Sequence, residues 1–161
     1  MSVQKALMIL LSALPMLSYT FFALKACFID IREHRLPNRL VFGATLTPIV
    51  TALVVVALSQ SLSRFQHALE VALLGMLAFG FLHLLSRGQL GLGDVKFSFP
   101  CSFIVGWYSS AGLLFWIWMS FAIAAIFALI EIRRGKTSRH DFIAFGPFMF
   151  VGVFLTVLIK P

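Results

Sequence analysis

The chain consists of long apolar runs broken by short polar segments. Read through a window of about 19 residues, the first run extends from about Ala6 to Ile29 and is interrupted only by Pro15 and Lys25. Lys5 ahead of an apolar stretch also fits a signal peptide, but the run is too long for one and has no small-residue cleavage site before Asp30, so a retained span is expected. The polar segment DIREHRLPNR, Asp30 to Arg39, follows. Leu36-Pro37-Asn38 should stop any helix there, because a proline disfavours helix in the residue before it. A second span is expected over about Leu40 to Leu58, then the polar link SQSLSRFQ, then a third span over about His67 to Leu85. In the next segment, SRGQLGLGD, Gly88, Gly91 and Gly93 should interrupt the helix. From Phe97 to Ile130 no residue is charged, and this stretch exceeds what one span requires. It must fold back on itself, with the turn expected in GWYSSAG, Gly106 to Gly112, and Trp107 and Tyr108 at the membrane-water boundary. The basic link IRRGKTSRHD, Ile132 to Asp141, precedes a last span from about Ile143 to Ile159, and no internal repeat is apparent.

Composition supports this reading. The 161 residues are 60% hydrophobic and only 12% charged, with a mean hydropathy of +0.98, whereas an ordinary soluble domain is about half apolar and about a quarter charged. A water-soluble globule is therefore not expected. Six spans of roughly 20 residues take about 120 positions and leave no room for a sizeable extramembrane domain. The expected fold is a single all-α transmembrane unit over residues 1–161. The formal charge of +7, from 13 Lys and Arg against 6 Asp and Glu, would in a soluble chain suggest nucleic acid; here the basic residues cluster between apolar runs, so they report topology instead. With six spans, Arg32, Arg35, Arg39, Arg87, Lys96, Arg133, Arg134, Lys136 and Arg139 fall on one face, and Lys5, Arg64 and Lys160 on the other, with Lys25 near the end of the first span. The positive-inside rule makes the first face cytoplasmic and puts both termini outside. Cys27 and Cys101 are far apart and form no CxxC pair, zinc pattern or disulfide framework.

Asp30 and Asp94 are the candidate chemical groups, because each lies where an expected span meets the cytoplasmic face, and an ionisable group at membrane depth marks a functional site by default. Each also has a bland reading: Asp94 as the N-cap of the fourth span, Asp30 as an interfacial carboxylate paired with Lys25 or Arg32. The topology nevertheless puts both on one side at similar depth. Two carboxylates sharing a water and a proton are the machinery of aspartic proteolysis, one drawing a proton from water while the other polarises the scissile carbonyl. Helix dipoles assign Asp94, at a helix N-terminus, mainly as base and Asp30, at a C-terminus, mainly as the protonated partner, although coupled titration makes such a division soft. Gly91 and Gly93 let the backbone bend and approach a substrate strand closely.

Asp30 to Asn38, DIREHRLPN, resembles the D-x5-[IL]-P-[ND] element of the type IV prepilin peptidases, and Gly91 to Lys96, GLGDVK, resembles their GxGDxK element. FGPFM, Phe145 to Met149, is similar to the proline-containing start of that family's last span. The resemblance implies a GxGD-type membrane aspartic endopeptidase of the bacterial inner membrane, with no cofactor and no metal. It would cut the short basic leader from prepilins or prepilin-like secretion subunits at the cytoplasmic boundary. Asp30 and Asp94 carry over as the catalytic pair, and Pro37, Asn38, Gly91, Gly93, Lys96, Gly146 and Pro147 as supporting motif positions. Longer family members carry a four-cysteine N-terminal region associated with methylation; without such a cluster here, methyltransferase activity is not expected. The short form resembles the stand-alone peptidases of tight-adherence (Flp) pilus systems.

The other features have quieter readings. His34 and His140 near Asp30 and Asp141 fit no zinc spacing. His67 and Glu70 are expected to begin the third span and snorkel to the interface. Trp116 and Trp118 are expected to contact lipid or neighbouring helices, and Ala122, Ala124, Ala125 and Ala128 to allow close helix packing. The rival functions are a small proton-coupled transporter, which would need ionisable groups threading the bilayer where Phe97 to Ile130 has none, and a non-catalytic pilus or secretion assembly protein.

Overall fold

The computed structural model describes residues 3–59, 62–134 and 144–160, with side chains from Leu11 onward. Every regular element among them is helical: α1 (Val3–Glu33), α2 (Asn38–Ser59), α3 (Leu62–Leu85), α4 (Leu92–Tyr108), α5 (Gly112–Arg133) and α6 (Gly146–Ile159). Apolar runs take this form because, away from water, each backbone N–H and C=O must be paired within its own segment. Polar side chains follow the same rule: Thr45 and Thr47 donate to the carbonyls of Val41 and Gly43, both at 2.8 Å. Four segments, Leu11–Glu33, Asn38–Ser59, Leu62–Leu85 and Gly112–Arg133, are long and apolar enough to cross a membrane. The other two helices, α4 with 17 residues and α6 with 14, reach only about 26 and 21 Å at 1.5 Å per residue. The outer surface carries Leu17, Phe42, Leu77, Leu114, Trp118 and Leu158 exposed, the apolar exterior that a lipid environment accepts and water does not.

The central helix is α4, which packs against all five others. Its uncharged stretch after Lys96 now has a reason beyond crossing a membrane: it is buried on nearly every side. The α3–α4 contact is the tightest. A Cβ on Gly75 would lie 1.9 Å from Ser102 Oγ, and one on Gly106 would lie 2.7 Å from Val71 Cβ. Small residues at these points let the two helix backbones approach, the usual means of helix association in lipid. Gly75→Ala should accordingly lower unfolding stability by about 1–3 kcal/mol, read as a lower melting temperature in detergent, and Ser102→Gly should restore most of it. A Gly75→Ala protein as stable as wild type would contradict this close approach.

Several expectations are corrected. The turn after α4 falls inside the expected Gly106–Gly112 stretch but is shorter than it: the helix runs through Tyr108, and the chain turns at residues 109–111. Trp107 is buried: Arg64 of α3 lies 4.5 Å over its ring and donates from Nε to its carbonyl at 2.7 Å. That guanidinium meets the negative end of α4, while Tyr108 Oη donates to the Ser12 carbonyl at 2.6 Å. The alanines at 122, 124, 125 and 128 do not supply the close packing of α5, which buries Gly112, Trp116 and Ser120 instead. Its partner decides this: Gly152 of α6 leaves room for Ser120, where a Cβ would stand 2.5 Å from its Oγ, and Trp116 Nε1 donates to the Met149 carbonyl at 3.0 Å. Trp118, two residues on, is exposed. His67 and Glu70 lie one to two turns inside α3, which begins at Leu62; His67 is half-buried and Glu70 exposed.

Candidate active site

One end of the bundle collects the end of α1, the start of α2, the loop from Ser86 to Gly91, the start of α4 and the start of α6. The α1 helix runs one turn past the apolar boundary, so Asp30 is in its last turn and only residues 34–37 connect to α2. The Pro37 carbonyl accepts the amides of Leu40 and Val41 at 3.0 and 3.1 Å, which makes the proline the starting point of α2. The glycine-rich connection breaks the helix as expected and holds itself: Leu90 N donates to Ser86 Oγ at 3.1 Å, and His83 Nδ1 lies 2.5 Å from the Leu90 carbonyl.

Asp30 is only 4% exposed. It has no ion pair among the described residues: Lys25 lies over the Phe21 ring and Arg32 over the Phe28 ring. Its partner is instead the Gly146 amide, which donates to Asp30 Oδ2 at 3.0 Å from the first turn of α6. Asp30 thus faces the negative end of its own helix and the positive end of α6, and these act in opposite senses. The division of labour argued from α1 alone loses its basis at this residue.

Asp94 is not the N-cap. Gly91 is, with its carbonyl accepting Asp94 N at 3.1 Å and Val95 N at 3.3 Å. Asp94 stands three positions on, in the first turn, with its carboxylate folded back towards the cap: a Cβ on Gly91 would lie 3.2 Å from Asp94 Oδ2. Both aspartates line a cleft of about 490 Å³ together with His34, Gly88, Gln89, Gly91, Ala144 and Phe145. They also line an adjoining pocket of about 240 Å³ with Leu36, Asn38, Gly93 and Lys96. The two carboxyl groups are near enough to interact electrostatically.

Three contacts tie the motif segments together. Gly146 reaches Asp30, as above. Lys96 Nζ donates to Asn38 Oδ1 at 3.2 Å, joining the start of α4 to the start of α2. Leu36 is wedged between the other two: a Cβ on Gly93 would stand 3.3 Å from Leu36 Cβ, and one on Gly146 would stand 3.2 Å from Leu36 Cδ2. Pro147 sits in the first turn of α6, where its missing N–H costs nothing. All nine positions singled out in the sequence therefore converge at this end. Leu36, His34 and Phe145 were not singled out as site residues, although Leu36 is the [IL] position of the first motif and so had a signal. Among the described residues no group of three or more His, Cys, Asp and Glu is placed to hold a metal; Lys136, Arg139, His140 and Asp141 lie outside them.

The apolar helices, with a buried carboxylate and its acidic neighbour lining one cleft, define a helical membrane protein with a polar cleft at one end. Residues 17–130 match the type IV leader peptidase family, and the chain belongs to that family. The match takes in Asp30, Asp94 and the segments around them and stops before α6. No curated protein and no solved structure matches the chain.

The Lys96–Asn38 bond bears on how firmly α4 presents Asp94. Lys96→Met and Asn38→Ala should each slow leader cleavage by about 3- to 10-fold, the worth of one charged hydrogen bond in a partly exposed setting. The double variant should be no slower than the slower single one. Losses that multiply would show that the bond carries no coupling.

Proposed function

We propose that this chain is a membrane aspartic endopeptidase that removes the leader from Flp-type prepilins or prepilin-like secretion subunits, using Asp30 and Asp94 at the cytoplasmic face of the inner membrane. The observation that carries the reading is that residues from opposite helix ends, Asp30 of α1 and Asp94 of α4, line one cleft while the segments around them are pinned by Leu36, Lys96 and Gly146. Two carboxyl groups in such a cleft hold one proton between them more readily than two negative charges. The charged one takes a proton from a bound water as its oxygen bonds to the scissile carbonyl carbon. The protonated one gives its proton to the carbonyl oxygen. Collapse of the tetrahedral species breaks the C–N bond, and the departing amine takes up a proton, so one water and one peptide bond become a carboxylic acid and an amine.

Six crossings with both termini outside are supported by the six helices and by charge: Arg32, Arg35, Arg39, Arg87, Lys96, Arg133 and Arg134 all belong to helix ends or loops at the site end. The test is co-expression with a prepilin, scored by the mobility shift of leader removal. A prepilin that shifts only when the wild-type chain is present supports the reading. One that shifts equally with Asp30→Asn or Asp94→Asn contradicts it.

A further inference from the structure

The central helix is uncovered along one line only, and that line starts at the candidate site. Between Phe97 and Trp107 every residue of α4 is buried except Phe99. Phe99 shares a helix face with Leu92, which is 60% exposed, and with exposed Lys96, at spacings of four and three residues. On one side of this face α3 packs through Gly75 against Ser102, and further along it closes over the face itself through Val71 against Gly106. On the other side α2 meets it through the Asn38–Lys96 bond. One turn beyond Phe99 the line closes, because Phe103 is fully buried and lies edge-on to Phe65 of α3 at 5.9 Å.

The two flanking helices leave this line open. α1 packs along α2 and α3 along α4, whereas α2 and α3, joined by only two residues, touch sparsely. The result is a notch between α2 and α3, floored by Leu92, Lys96 and Phe99 and ended by the Phe65–Phe103 pair. Met76 of α3, 39% exposed and on the same stripe as Phe65, forms part of one wall. From Leu92 to Phe103 the floor is about 16 Å long, enough for about three turns of a helix lying against it. The site end of the notch runs into the 240 Å³ pocket that Asp30, Asp94, Asn38 and Lys96 line.

We propose that this notch seats the apolar helix of the substrate, so that the peptide bond just ahead of that helix falls at Asp30 and Asp94. The proposal rests on the leader-peptidase reading. A chain that must keep an apolar helix in lipid while its cut site enters the pocket can reach it only from the side. Among the described residues the notch is an apolar surface continuous with the pocket.

A photoreactive phenylalanine analogue placed at Met76 or Phe99 of the full-length chain carrying Asp94→Asn, in membranes that contain prepilin, should capture the prepilin helix. The same analogue at Leu114 or Ile126, exposed on α5, should not. In the otherwise wild-type chain, Met76→Trp should lower kcat/KM for whole prepilin about tenfold more than for a short peptide that spans the cut and lacks the apolar helix, the effect of one blocked side-chain contact. Capture confined to α5, capture at Met76 of a second copy or of lipid only, or equal losses on the two substrates would overturn the notch. Capture of prepilin at Met76 together with a wild-type chain that cuts neither substrate would uphold the notch and overturn the peptidase reading. Cleavage with capture only at Leu114 would do the reverse.

Discussion

Replacing either aspartate with asparagine should slow leader cleavage about a thousandfold while leaving the helix bundle intact. The magnitude follows from losing proton transfer in the rate-limiting step, worth about 10² to 10⁴ in rate. The intact bundle follows from geometry. Asparagine keeps the size of aspartate and an oxygen that accepts a hydrogen bond, so the Gly146 amide at position 30 keeps its partner. Alanine would be a poorer test, because it would leave the buried Gly146 N–H without a partner, a cost of about 1–3 kcal/mol. The two substitutions should not multiply, since residues acting as one unit lose their function together. The decisive readout is the rate of leader removal beside the melting temperature in detergent. A variant that retains more than about a tenth of the wild-type rate at an unchanged melting temperature would rule out its aspartate as half of the pair.

Much of this site was legible in the sequence because a carboxylate at the edge of an apolar run is rare and so stands out. Asp30 and Asp94 are conspicuous against their surroundings, and the glycines and proline beside them mark where helices must stop. Leu36 was not conspicuous, since one leucine among so many is marked only by its place in the first motif, and its role shows once folding wedges it between Gly93 and Gly146. The α5 alanines show the opposite failure. Small residues reveal a capacity for close approach but not which helix will use it, and the packing went to Gly112, Trp116 and Ser120 because α6 offers Gly152 there. The partner of Trp107 was hidden for a similar reason: nothing near it in sequence announces Arg64, which reaches it from 43 positions away. The charge-free stretch from Phe97 to Ile130 correctly demanded a turn, and it falls at residues 109–111, inside the expected Gly106–Gly112.

The contact between Asp30 and α6 leads to the second large effect. Gly146→Ala should cut the rate of leader removal by about 10- to 100-fold, with a stability loss of no more than about 2 kcal/mol. A methyl group there would stand 2.8 Å from Asp30 Oδ2 and 3.2 Å from Leu36 Cδ2, so either the carboxyl group rotates away from the Gly146 amide or α6 backs off and carries the amide with it. Each outcome moves the same oxygen by a few tenths of an ångström or more, and misplacements on the scale of 1 Å are enough to cost about 10²-fold in rate. The helix itself should not object, since alanine is the better helix former by about 1 kcal/mol. Gly80→Ala is the matched control: the added methyl would meet only Val95 Cγ1, at 3.9 Å, and should leave both rate and melting temperature close to wild type. Cleavage by Gly146→Ala at the wild-type rate would mean that the carboxyl group of Asp30 does its work without the α6 amide, and that glycine is required at this position for nothing the reaction uses.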